Sequence, residues 1–122
     1  MITYWQQNDG KLLKIKKEEL DETQRTWVDA RVVTRDDVEL LQEEYKIDPE
    51  HILDILDPDE LSRLEDGDTY ILTILRLPFY DPAAETQYST VPLGIIIKEN
   101  CIITICWTDC EVLKDLSANR IK

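Results

Sequence analysis

Residues 48–81 read DPEHILDILDPDELSRLEDGDTYILTILRLPFYD, and the organisation of the chain turns on how this stretch divides. It opens as a helix start. The Asp48 carboxylate can accept a bond from an otherwise unpaired N–H, and proline at the first helical position gives up no donor that the helix needs. Ile52, Leu53, Ile55 and Leu56 then fall on one side at about 100° per residue, and Glu50, Asp54 and Asp57, at i, i+4 and i+7, fall on the other. Three carboxylates on one helical face repel one another, with nothing basic among them. Such a face is either simply solvated or collects divalent cations, and the pattern alone does not choose. Asp57-Pro58 repeats the cap-then-proline device and predicts another helical turn, closed by Gly67. Residues 70–80 are rich in β-branched and aromatic side chains and too continuously apolar to be half solvated. They predict a central strand covered on both faces, with Pro78 near its end.

Upstream, residues 2–7 predict a short strand, Asn8-Asp9-Gly10 a hairpin turn, and residues 11–17 a lysine-bearing edge strand. Residues 16–25 are polar and predict a loop or one weak helical turn. Residues 26–30 form a compact strand pattern with Trp27 as its core anchor. Thr34 and Asp37 have the spacing of a capping box, and Val38, Leu41 and Tyr45 supply the apolar stripe of the helix they begin. Downstream, residues 90–97 predict a second buried strand, Lys98-Glu99-Asn100 a turn, and residues 101–107 an antiparallel return. Asp109 is placed as the cap of a last helix carrying Val112, Leu113, Leu116 and Ile121. With no glycine or proline stop before Lys122, that helix reads as cut rather than finished.

A chain of 122 residues is one domain with room for a core that needs no staples. Its formal net charge of −12 is concentrated: residues 29–68 hold fifteen acids against four bases. That argues against nucleic acid, which needs a basic footprint, and favours cationic partners, metal or protein. Cys101 and Cys106 are five apart on a predicted strand and so point to opposite faces, which rules out a shared metal there. With Cys110 they read as buried thiols of a reducing compartment. The N-terminus has no secretory pattern, and no apolar run is long enough to cross a membrane. The one histidine, His51, lies in the first turn of the acidic helix and reads more readily as a surface or cap residue than as a ligand or base. No glycine-rich phosphate loop exists, Ser62, Ser89 and Ser117 lack a nucleophile context, and no carboxylate pair can be assigned acid and base roles. An enzyme is not expected.

The acidic helix and the segments around it resemble the N-terminal cytoplasmic domain of the CorA-type magnesium transporter family. After a strand like Trp27-Val28-Asp29 and a helix, that family has Gly-Ile-His-Pro-Leu-x-Leu-Glu-Asp-Ile-Leu. It is matched here by Lys46-Ile47-Asp48-Pro49-Glu50-His51-Ile52-Leu53-Asp54-Ile55-Leu56. The family's Arg-Pro-Lys-x-Glu-x-x-x-x-Tyr is matched loosely by Leu61-Ser62-Arg63-Leu64-Glu65 and Tyr70. Residues 74–81 are similar to its strand ending in Tyr-Asp, and residues 96–104 to its Leu-x-x-x-Asn-x-Leu-x-Thr hairpin. The likeness covers most of residues 26–107.

The resemblance implies an α/β fold, an α/β/α sandwich with a central mixed β-sheet and short helices on its faces. It makes residues 1–122 a single N-terminal domain at the cytoplasmic face of the membrane. The stalk helix, the membrane spans and the Gly-Met-Asn pore motif are not in this sequence. It further implies a homopentameric, membrane-embedded parent and a regulatory domain that senses Mg2+ weakly between subunits. The family's aspartate falls on Asp54, facing a stalk acid of the next subunit, with Asp57 and Glu50 as the accompanying candidate metal ligands. Leu53 stands where the family has the preceding glutamate. Two alternatives remain: a same-family transporter of zinc or another divalent cation, and a freestanding domain whose acidic face docks a basic protein.

Overall fold

The computed structural model describes residues 1–8, 10–57, 63–66, 70–80 and 88–108. In chain order the elements are β1 (Ile2–Asn8), β2 (Lys11–Ile15), β3 (Thr26–Arg31), α1 (Arg35–Glu44), α2 (Pro49–Leu56), β4 (Arg63–Asp66), β5 (Ile71–Tyr80), β6 (Tyr88–Ile97) and β7 (Cys101–Cys106). A short 3-10 turn, Lys17–Glu19, links β2 towards β3. The seven strands make one sheet in the order β2-β1-β3-β7-β6-β5-β4. Every neighbouring pair is antiparallel except β3 and β7, so the sheet is mixed, as expected.

Strand alternation sorts the side chains onto two faces. Val28 and Ala30 of β3, Leu72 and Ile74 of β5, Ile96 of β6, and Ile103 and Ile105 of β7 are fully buried. They share one core with Leu41 of α1 and with Ile47, Ile52 and Ile55 in and before α2. The opposite face has a smaller cluster, Val91, Leu93 and Cys106, with Trp27, Leu77 and Ile95 against it. Trp27 packs against this second cluster. It sits half-buried on the second face because its register puts Val28 and Ala30 under the helices, and its indole N–H donates to Thr104 Oγ1 at 2.8 Å. The same alternation sends Cys101 to the first core and Cys106 to the second, on opposite faces as the spacing required. Both are free thiols.

Two expectations for the central stretch need correction. β5 is one strand from the sheet edge, not central, and Ile71 and Leu75 are 42 % and 40 % exposed on the second face. A continuous apolar run therefore does not prove two covered faces. Arg63–Asp66, assigned to a helical region from sequence, is strand β4, paired with residues 71–74. Four residues are too short for alternation to announce a strand against a charged background. The helical turn expected at Asp57-Pro58 and the helix expected from Asp109 lie outside the described residues. Pro78 lies beyond the residues that pair with β4, where its missing N–H costs no ladder bond to that strand.

α1 has the capping box its sequence announced. Asp37 N–H donates to Thr34 Oγ1 at 3.3 Å, and Thr34 N–H donates to the Asp37 carboxylate at 3.0 Å. That carboxylate also meets the Met1 ammonium, which donates to the Arg31 carbonyl as well. Burial alone would raise the Asp37 carboxyl, but the ammonium and the Thr34 bonds outweigh it and hold the group below its ordinary value. α1 ends at Tyr45, and Lys46 turns the chain through φ 56, letting Ile47 N–H reach back to the Leu41 carbonyl at 3.3 Å.

Lys46 occupies a left-handed position that glycine fills without steric cost. Lys46→Gly should raise unfolding stability by about 1 kcal/mol in a denaturant titration, because the Cβ penalty is removed. A carboxyl depressed in the folded state contributes stability that is present above its unfolded pKa and is lost as pH falls through the folded value. The stability advantage of the native chain over Asp37→Asn should therefore be full at neutral pH and shrink below about pH 4. Melting curves of the two proteins across that range check it.

Candidate functional site

The acidic helix α2 is fixed at both its start and its middle. Asp48 caps it: the side chain accepts Glu50 N–H at 2.9 Å, with Pro49 in the first turn. Tyr70, buried just before β5, accepts Asp48 N–H on its hydroxyl at 3.0 Å. The same oxygen lies 2.6 Å from His51 Nδ1, and the two rings meet edge to face. Since the Tyr70 oxygen already accepts Asp48 N–H, its own proton can go to Nδ1, which ties up that ring nitrogen as an acceptor. His51 is thus half-buried in the cap region and links α2 to Tyr70 just before β5.

In the middle of α2, Ile52 and Ile55 are fully buried over β6 and β7. Ile55 lies on Gly94 of β6. A Cβ built there would come within 2.5 Å of Ile55 Cγ1 and 2.9 Å of Cγ2, and closer still to Cδ1. The sequence reading passed over Gly94, although a lone glycine inside an apolar strand is the usual mark of a close backbone approach.

Seating that face turns the acids outward. Glu50 is exposed and Asp54 half-buried on the helix flank. Asp57 differs from expectation: α2 ends at Leu56, and Asp57 is the C-cap in extended conformation, its N–H donating to the Asp54 carbonyl at 3.2 Å. The i+7 continuation of the acidic stripe is therefore broken by one residue. Leu53, expected with the apolar side, is 65 % exposed among these acids. Among the described residues no three of His, Cys, Asp and Glu converge on a point where they could hold a metal ion. The donors present are hard carboxylate oxygens, which fit a hydrated Mg2+ held through one or two carboxylates and its own waters. They do not fit a dry cage.

A cleft of about 560 Å³ lies elsewhere, against the stacked Trp5 and Trp27 rings at the β1–β2 end of the sheet, lined also by Arg25 and Leu12. Among the described residues no carboxylate lines it. No described helix is long and apolar enough to cross a membrane.

The profile of the family described as CorA-like Mg2+ transporter protein matches residues 22–121. The chain belongs to that family. The complete CorA magnesium transporter of Methanocaldococcus jannaschii superposes with a TM-score of 0.75 at 21 % identity, covering 98 % of this chain and 38 % of that one. Its soluble domain gives 0.76 at 22 % identity, covering 100 % and 47 %. The ZntB cytoplasmic domain of Vibrio parahaemolyticus gives 0.65 at 15 % identity, covering 95 % and 47 %. At these identities the likeness is one of fold, and the chain spans less than half the length of these relatives. No curated protein matches the sequence.

Tyr70→Phe removes the acceptor for Asp48 N–H and the partner of His51 while keeping the ring in place. Chemical denaturation should show a loss of about 1–2 kcal/mol. The first turn of α2 should exchange its amide hydrogens faster.

Proposed function

We propose that this chain is the cytoplasmic regulatory domain of a CorA-like divalent-cation transporter, and that Asp54 is its part of a Mg2+-sensing contact with a neighbouring subunit. The observation that supports this most directly is the outward, half-buried carboxylate of Asp54 on a helix whose other face is locked to the sheet. Glu50, one turn before it, adds like charge that a cation would offset, and Asp57 extends the negative surface past the helix end. With no third ligand converging within the described residues, the remaining ligands are waters and an acid from another subunit of a homo-oligomer, a pentamer on the family resemblance. When the cation leaves, two acidic surfaces repel and the subunits can move apart. The ion shifts the population towards the closed state by its differential affinity alone.

The donor chemistry favours magnesium over zinc as the regulating ion. Zinc prefers thiolate and imidazole, but Cys101 and Cys106 belong to the two cores. Burial also raises the Cys101 thiol above its ordinary value, away from the thiolate a metal would need.

Asp54→Asn in the full-length transporter should raise the internal Mg2+ concentration that half-inhibits transport by about tenfold, with flux at low Mg2+ unchanged. Flux assays in proteoliposomes with the lumen-facing and cytoplasmic-facing Mg2+ set independently would read this. An unaltered inhibition curve contradicts the assignment.

A further inference from the structure

We infer that Gly94 is a positioning residue for Asp54, setting the sensing helix at a fixed height and rotation on the sheet through its contact with Ile55. The inference rests on the sensing role proposed for Asp54 and adds what holds that carboxylate in place. β6 is flanked on both sides: Gly94 pairs with Ile74 of β5 and with Ile105 of β7. The strand therefore has no freedom to retreat from the helix. Ile55 has little freedom either. Three of its side-chain carbons lie where a Cβ on residue 94 would go, two of them the branches on its own Cβ. A β-branched side chain in a helix has one strongly preferred χ1 rotamer, so rotating them away is disfavoured. With strand and side chain both fixed, a single methyl at position 94 must lift or turn α2. Taking 2.5 Å to an ordinary carbon–carbon contact needs a displacement of about 1 Å.

Asp54 precedes Ile55 by one residue on the same rigid turn and moves with it. A shift of about 1 Å is well outside the ±0.2 Å tolerance of a ligand on a metal, and comparable to the slack of one held through water. Gly94 is not in the left-handed backbone region, so alanine there is free of conformational strain and its whole effect acts through the helix contact. The other end of α2 is held by Tyr70, so the displacement tilts the Asp54 end about that tether.

The test compares four versions of the full-length transporter: native, Gly94→Ala, Ile55→Ala, and the double variant in which Ile55→Ala makes room for the new methyl. Two quantities are read: the Mg2+ concentration that half-inhibits transport, and the Mg2+-dependent protection of amides 50–57 from hydrogen exchange. Gly94→Ala should raise the half-inhibiting concentration about tenfold and weaken the protection, with flux at low Mg2+ preserved. The double variant should return towards native on both readouts, and Ile55→Ala alone, which loosens the seat without pushing the helix off it, should lower the melting temperature while shifting the half-inhibiting concentration clearly less than Gly94→Ala does. A merely structural role would order the variants by stability instead, with Ile55→Ala shifted as far as the others. That result, or a native curve for Gly94→Ala while Asp54→Asn is shifted, overturns the positioning role and leaves the sensing role standing. Native curves for both Gly94→Ala and Asp54→Asn overturn the two together. If Gly94→Ala fails to fold, the double variant carries the decision: near-native inhibition supports the inference, and a tenfold shift refutes it.

Discussion

Ile55 lying on the bare backbone of Gly94 is the contact on which the rest of this domain's geometry depends. It brings α2 closer to the sheet than any side chain on β6 would allow. Through that closeness Ile52 and Ile55 complete a core with Val28, Leu72, Ile74, Ile96, Ile103 and Ile105. Removing a fully buried isoleucine from such a core costs about 2–5 kcal/mol, a large share of a small domain's stability. The acidic face is a consequence of that seating. Once the apolar side is committed to the sheet, Glu50 and Asp54 have only the outer side left.

A face with this much negative charge is tolerable because it is spread over elements held from beneath. α1 contributes Asp36 and Asp37 at its start, where the helix dipole and the capping box favour them. Asp48 and Glu50 do the same for α2. Acids placed at helix starts thus stabilise local structure while they build the external field. Asp54 is different. It lies past the middle of α2, where the helix dipole does not favour a carboxylate.

Much of this was legible in the chain because it was carried by local chemistry. The Thr34–Asp37 box, the Asp48-Pro49 start, the positive φ of Gly10 between β1 and β2, and the opposed cysteines each follow from a spacing and one principle. The mixed α/β sheet followed from the family resemblance, through several ordered motifs. What was not legible depended on partners distant in sequence. Trp27 reads as a core anchor of its strand, and which of the two clusters it joins follows from strand alternation, which puts Val28 and Ala30 under the helices and Trp27 against the smaller cluster. β5 was placed centrally because its composition is apolar throughout, whereas Ile71 and Leu75 are exposed. β4 was missed because four charged-flanked residues carry no period. Of the candidate site, the three acids were found from spacing, but the helix end at Leu56 separates Asp57 from the stripe. The Tyr70 anchor left no local signal because its partners on α2 are distant in sequence, whereas Gly94 carried the mark of a close backbone approach without saying which element makes it.

The most direct measurement is a pair of structures of the full-length protein, with millimolar Mg2+ and with the ion removed. Asp54 should lie in hydrogen-bond reach of a hydrated ion at a subunit boundary in the first, and the subunits should separate there in the second, with Ile55 still against Gly94 in both. An Asp54 facing bulk solvent in both structures, with no ion between subunits, would contradict the sensing role.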